Sequence, residues 1–233
     1  MNVIVTGASK GIGSAIAAKF AAAGHTIIAC ARTEKDLQTM KTAFEHQFPQ
    51  SKFLYKPVDM SSATAVKSFG NWVLAEGIVP DILVNNAGSF RPGSVYNEEE
   101  GTLEEMMATN LYSAYHLTRM LLPAMMEHKN GHIFNICSIA SLQAYANGGA
   151  YSISKFAMLG FSKNLREEMK PHGIKVTAVC PGAVLTNSWA GSGIDPNRIM
   201  EAEDIAAMVF AASQLSSMAV VEDIILRPQL GDL

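Results

Sequence analysis

Two rhythms of apolar residues alternate along the 233-residue chain. Seven short runs rich in β-branched residues, at 2–6, 26–30, 52–58, 81–85, 132–137, 175–180 and 223–227, predict strands. Between them, the stretches near 11–23, 34–47, 62–76, 102–128, 150–170 and 202–213 space apolar side chains three and four apart, which predicts helices. Parallel neighbours require a crossover connection, so this alternation predicts a doubly wound α/β fold: a seven-stranded parallel sheet with helices on both faces. Gly24, Gly77, Gly131 and Gly173 read as stop signals after the first, third, fourth and fifth helices. The stretch from about Pro181 to Arg198, with "AGSGIDPN", breaks both rhythms and predicts a long loop over about 183–200. No Pro/Gly/Ser-rich linker divides the chain, and one domain over 1–233 is expected.

Composition narrows the class. A hydrophobic content of 48% with 17% charged residues suits a chain with a large core and excludes disorder. The net charge is −3 and the basic residues are scattered, which gives no reason to expect a nucleic-acid partner. No basic leader precedes "VIVTG" and no apolar run reaches the roughly 18 residues of a membrane span, so a soluble cytoplasmic protein is expected. Cys30, Cys137 and Cys180 lie in or beside apolar runs, and their odd count predicts reduced core thiols. His128 and His132 stand four apart, but Gly131 and the switch into a strand separate them; no metal site is expected. Methionines in "RMLLPAMM" have helical spacing and read as core or subunit contact.

Candidate chemistry gathers where strands end. "VTGASKGIG" sets Gly7, Gly11 and Gly13 between the first strand and the first helix, where backbone amides can face a pyrophosphate. Ser9 replaces the middle glycine of the ordinary G-x-G-x-x-G pattern, and a bare turn is the alternative. Tyr151 and Lys155 in "YSISK" share a helix face, and Ser138 closes the fifth strand. Hydride reduction of a ketone leaves an alkoxide that needs a proton donor, a role open to a phenol. An ammonium at Lys155 is expected to lower the Tyr151 pKa from its usual value near ~10, while Ser138 grips the same substrate oxygen. Alone, a Tyr-x-x-x-Lys pair reads more readily as an amphipathic helix surface.

Taken together, the G-x3-G-x-G loop, "NNAG" at 85–88 and the Ser138, Tyr151, Lys155 set resemble the short-chain dehydrogenase/reductase family over nearly the whole chain. The resemblance implies a Rossmann domain and a dinucleotide held by Gly7, Ser9, Lys10, Gly11, Ile12 and Gly13. It also implies adenine contacts from Asp59 and Met60, and ribose contacts from Asn85, Asn86, Ala87 and Gly88. Tyr151 and Lys155 would meet the nicotinamide ribose, and Pro181, Gly182, Val184 and Thr186 the carboxamide side. Asn110 matches a fourth catalytic member that holds a relay water. For Asp59 a plain cap on the third helix is the alternative. A homodimer or homotetramer through the helices 102–128 and 150–170 is also implied.

Rossmann folds that prefer NAD carry an acid at the end of the second strand. Here Ala31 and Arg32 stand there and Lys10 lies in the loop, which favours NADP(H), although Glu34 and Asp36 are close enough to compete. Substrate contacts are expected from Phe90, Ser138, Gln143, Tyr145 and Trp189. The ending "EDIILRPQLGDL" is similar to the sepiapterin-reductase-like branch, which implies NADPH-dependent reduction of a sepiapterin-like or diketone-like small molecule. A 3-oxoacyl-carrier-protein reductase is the alternative, and a nucleotide sensor without turnover a remote one.

Overall fold

A computed structural model describes residues 1–186 and 193–232. All seven predicted runs form strands: β1 Asn2–Thr6, β2 Thr26–Ala31, β3 Phe53–Pro57, β4 Ile82–Asn85, β5 Gly131–Ile136, β6 Ile174–Pro181 and β7 Asp223–Leu226. They pair in parallel in the order β3-β2-β1-β4-β5-β6-β7. The longer helices are α1 Gly11–Ala22, α2 Glu34–Gln47, α3 Ala63–Ala75, α4 Thr102–Met107, α5 Ser113–His128, α6 Gly149–Met169 and α7 Ala202–Ser213.

Alternate residues of each strand face opposite ways, and both faces are covered. Val3, Val5, Ile27 and Ala29 pack with Ile16 and Phe20 of α1, Leu37 and Phe44 of α2, and Ile205 and Val209 of α7. Ile4, Ile28, Leu83 and Ile133 pack with Val66 and Phe69 of α3, Leu117 and Leu121 of α5, and Leu165 of α6. Burial on both faces is why the strand sequences read as near-continuous apolar runs. Each large side chain so buried contributes about 1.5–3 kcal/mol.

Three local readings need correction. The stretch 102–128 is not one regular helix: a wide π turn over Ala108–Tyr112 separates α4 from α5. Its extra residue turns Asn110 inward, and such turns occur often at functional sites. Second, α5 ends at Lys129, whose φ of 50° is left-handed, and Gly131 instead opens β5. There a Cβ on Gly131 would stand 2.5 Å from Met125 Cε. Third, Ser62 rather than Asp59 caps α3, with its hydroxyl accepting from Ala65 N at 3.3 Å. Asp59 instead closes a tight turn, accepting from Ser61 N at 3.0 Å and from the Ser61 hydroxyl at 2.8 Å.

The three cysteines are buried and free, and burial pushes the Cys30 thiol up to about 12. His132 is buried against Thr177, with Nε2 2.7 Å from its hydroxyl. Because that hydroxyl donates to Val221 O, it receives the Nε2–H of a neutral imidazole. Arg166 ties α6 to the sheet, donating to Val176 O and pairing with Glu222 and Asp223. Among the described residues no helix is long and apolar enough to cross a membrane.

Candidate active site

The chain reverses its direction of sheet growth between β1 and β4, and beyond their carboxyl ends lies the crevice where such sheets bind ligands. Two polar side chains lace this crevice together. The Thr6 hydroxyl accepts from the backbone amides of Asn86 at 3.0 Å and Ala87 at 2.9 Å. In return the Asn86 amide nitrogen donates to Thr6 O at 2.9 Å and Gly7 O at 3.1 Å. The glycine loop and "NNAG" therefore form one rigid floor. Asn85 is buried beneath it, donating to Thr118 and Asn135.

At the mouth of the loop, α1 starts at Lys10 without any side-chain cap. Its first-turn amides are thus available to an anion. Gly7, Ser9, Gly11 and Ile12 surround that helix end partly exposed, while Gly13 is buried. Thr186 reaches the same loop from beyond β6: a Cβ on Gly11 would stand 3.0 Å from its methyl. Pro181 closes β6, Gly182 N donates to Leu226 O at 2.8 Å, and buried Val184 bridges to Met200. The Val184 side chain packs in the core and supports the segment from below.

At the end of β2, Ala31 is buried and Arg32 exposed. Lys10 is not a free cation, because Asp36 pairs with it at 2.9 Å. Hydrogen bonds from the Ser61 backbone and hydroxyl hold the Asp59 carboxyl below the usual range, with a smaller contribution from Arg32. The Met60 side chain is buried against Cys30, sulfur to sulfur at 3.7 Å.

Across the crevice, α6 carries Tyr151 and, one turn on, Lys155. Lys155 Nζ is buried, donates to Ile136 O at 2.8 Å, and stands 5.8 Å from the Tyr151 ring centroid. Phe90 packs edge-on to that ring at 4.9 Å. Ser138 opens the short turn Ile139–Ser141, and its oxygen accepts from Ala140 N at 3.1 Å. With that bond accepted, the hydroxyl proton is left to donate into the site.

The proton balance differs from the sequence expectation. Burial dominates at Tyr151 and raises its pKa, opposed by the hydrogen bond from Ser138 and reinforced by Cys137. Burial likewise lowers that of Lys155. The expected lowering of Tyr151 by Lys155 does not prevail, because the amine points at Ile136 O and the dry surroundings disfavour both charged forms.

Asn110 is engaged through its side chain. Its amide donates to Ser89 O at 3.0 Å and Ser154 Oγ at 2.9 Å, and its oxygen accepts from Ser89 N at 2.8 Å. Ser154 in turn donates to Tyr151 O at 2.7 Å. The side chain thus braces α6 against the segment after β4. Gly88 lies between the two: a Cβ there would stand 3.2 Å from Asn110 Oδ1 and 3.7 Å from Lys155 Nζ. Thr6, Ser89 and Ser154 escaped the sequence reading; Ser154 lies inside "YSISK", and its inward position was the available signal.

Of the expected substrate residues, Phe90 lies against the Tyr151 phenol, and Gln143 and Tyr145 are exposed in the turn before α6. Burial, then the nearby Tyr151, pushes the Tyr145 phenol up to about 12. Trp189 lies outside the described residues.

A parallel doubly wound sheet with serine, tyrosine and lysine gathered at its switch point defines a class of nucleotide-dependent oxidoreductases. A family model described as short chain dehydrogenase matches residues 1–196, and the chain belongs to this family. Sepiapterin reductase of Chlorobaculum tepidum is 35% identical over 99% of this chain and 97% of its own length. Fatty acyl-CoA reductase of Acinetobacter baylyi is also 35% identical, but over 76% of this chain and 60% of its own. Among solved structures, an alcohol dehydrogenase from Thermococcus sibiricus complexed with 5-hydroxy-NADP superposes with a TM-score of 0.91 at 25% identity, covering 100% of this chain and 98% of that one. A metagenomic short-chain oxidoreductase in complex with NADP gives a TM-score of 0.86 at 30% identity, covering 98% and 97%.

Proposed function

We propose that this protein reduces a ketone to an alcohol with NADPH, on a sepiapterin-like or diketone-like small molecule. The observation that carries the reading is the Ser138 hydroxyl beside the Tyr151 phenol, with Lys155 one turn behind. The residues fit a dinucleotide: α1 begins uncapped at the glycine loop, and Arg32 is exposed beyond Ala31, where an acid would select NAD. Gly7, Ser9, Lys10, Gly11, Ile12 and Gly13 would hold the phosphates. Arg32 would hold a 2′-phosphate, Asp59 and Met60 the adenine, and Asn86, Ala87 and Gly88 the adjoining ribose. Pro181, Gly182, Val184 and Thr186 would line the nicotinamide end. When bound, the cofactor supplies the hydride that forms the new C–H bond.

The chain's own groups manage the oxygen. The ketone oxygen accepts from Ser138 and from Tyr151, whose raised pKa keeps the phenol protonated at neutral pH. As the carbonyl carbon gains hydride, the C=O π pair moves onto oxygen, which takes the Tyr151 proton. Lys155 then stabilises the phenolate until solvent returns a proton. Phe90, Gln143, Tyr145 and Trp189 would shape the mouth, with 183–200 as the substrate loop of one domain. The sepiapterin reductase match runs nearly end to end and favours a small ketone over a 3-oxoacyl thioester.

The test follows NADPH oxidation against diketones, a pterin ketone and a 3-oxoacyl thioester, for wild type and Arg32→Ala. Turnover of a small ketone is expected, with the variant raising KM for NADPH about tenfold and leaving NADH unchanged. An unchanged KM would remove the NADPH assignment, and turnover of the thioester alone would select the acyl reading.

The same reading extends to assembly. Tyr112, Tyr115, Ile153 and Phe156 are exposed apolar side chains on or beside α5 and α6. They support a homodimer or homotetramer through these helices. Sedimentation at micromolar concentration is expected to give at least a dimer; a monomer would refute it.

A further inference from the structure

The segment between β4 and α4 folds back over the first turn of α6. Phe90, at its start, lies edge-on against Tyr151. In its middle, Gly93 N donates to Asn147 O and the Ser94 hydroxyl to Asn147 Oδ1, both at 3.1 Å. Farther on, Glu98 Oε2 accepts from Ala150 N at 3.1 Å.

That last bond falls on the residue immediately before the catalytic tyrosine. The N-cap of α6 is Gly148, which has no side chain to offer the first-turn amides. The helix that carries Tyr151 and Lys155 is therefore capped by a carboxylate 52 positions upstream. Its negative charge also suits a helix N-terminus. Arg91 does not neutralise it, because its ion pairs go to Glu99 at 3.7 Å and Glu105 at 3.0 Å. Gly149 makes the approach possible: its φ is +32°, and a Cβ there would stand 2.5 Å from Gly93 O and 2.6 Å from Glu98 Oε2.

We propose that Glu98 is a positioning residue, which clamps the 90–98 segment onto the first turn of α6 and so holds the Tyr151 phenol at the substrate oxygen. Without the clamp the uncapped turn frays, Phe90 loses its seat, and the donor is misplaced although cofactor groups are untouched. The inference rests on the ketone reductase reading for its kinetic readout, and backbone amide exchange supplies a readout that does not.

The experiment compares Glu98→Ala with Glu98→Gln, which keeps an acceptor oxygen. For Glu98→Ala we expect kcat to fall about tenfold, KM for NADPH to stay within about twofold, and exchange at Ala150 to quicken about tenfold. Glu98→Gln is expected to retain kcat within about threefold. Gly149→Ala, which pushes the segment away from the other side, should reproduce the loss seen in Glu98→Ala. A Glu98→Ala protein with wild-type kcat overturns the proposal. So does a parallel rise in KM for NADPH, which would mean general loosening, or an equal loss in Glu98→Gln. If wild type reduces no ketone at all, the ketone reductase reading fails by itself. Exchange then decides: faster at Ala150 in Glu98→Ala supports the clamp, and unchanged exchange overturns it.

Discussion

Tyr151→Phe is expected to lower kcat for ketone reduction about a thousandfold, within the range for loss of a general acid, while NADPH binding stays within about threefold. The substitution deletes one oxygen. The ring keeps its edge-on packing with Phe90, and the Ser154 bond goes to the Tyr151 backbone carbonyl, which Phe retains. Lys155 keeps Ile136 O as its partner. A loss of rate therefore reports the proton and not the fold. Burial raises the Tyr151 pKa in the free enzyme, so the phenol stays protonated through the neutral range and titrates only above the usual tyrosine value of ~10. Reduction needs the protonated form and should not decline as pH rises from 6 to 9, in roughly that range. The reverse oxidation needs phenolate and should gain with pH. Any positive charge that binding brings near the phenol acts the other way, so the ultraviolet difference titration against Tyr151→Phe is made without cofactor. A variant within tenfold of wild-type kcat would remove Tyr151 from the proton-donor role, and a Tyr151 transition near pH 7 in the free enzyme would mean that burial does not dominate its pKa.

The residues proposed for the chemistry were far more legible than those that hold them. Strand runs such as "VIVT" and "ILVN" are buried on both faces, so their apolar continuity survives translation into sequence. Tyr151 and Lys155 are neighbours on one helix, and their spacing alone sets them on one face. The π turn at Ala108–Tyr112 has no such signature: "MATNLYSAYH" keeps helical spacing through it, and only the Asn110 bonds to Ser89 and Ser154 show why the turn widens. Asp36 was legible as a competitor for Lys10, but only the fold shows the two paired at 2.9 Å. Glu98 was illegible because its bond to Ala150 joins residues 52 positions apart. The direction of the Tyr151 shift depended on burial, and sequence spacing carries charge but no solvent exposure.

Gly13→Ala is expected to weaken NADPH binding about a hundredfold, because a methyl group there strikes both walls of the cofactor crevice together. A Cβ on Gly13 would stand 2.5 Å from Asn86 Nδ2 and 2.5 Å from Gly7 O. One obstacle is backbone, and the other is the side chain that ties the glycine loop to "NNAG". Neither can yield separately. Moving Asn86 breaks its bonds to Thr6 O and Gly7 O, while moving Gly7 shifts the amides that would face a phosphate. Gly13 lies in the first turn of α1, so withdrawing the helix also withdraws the N-terminus that would hold the anion. Ala is the better helix former by about 1 kcal/mol, so intrinsic propensity pulls the other way. Overpacking costs about 1–3 kcal/mol and should outweigh that gain, lowering Tm by several degrees. Fluorescence titration with NADPH, read beside a melting curve, separates the two effects. Wild-type affinity in a folded Gly13→Ala protein would mean that the crevice between β1 and β4 is not where the dinucleotide binds.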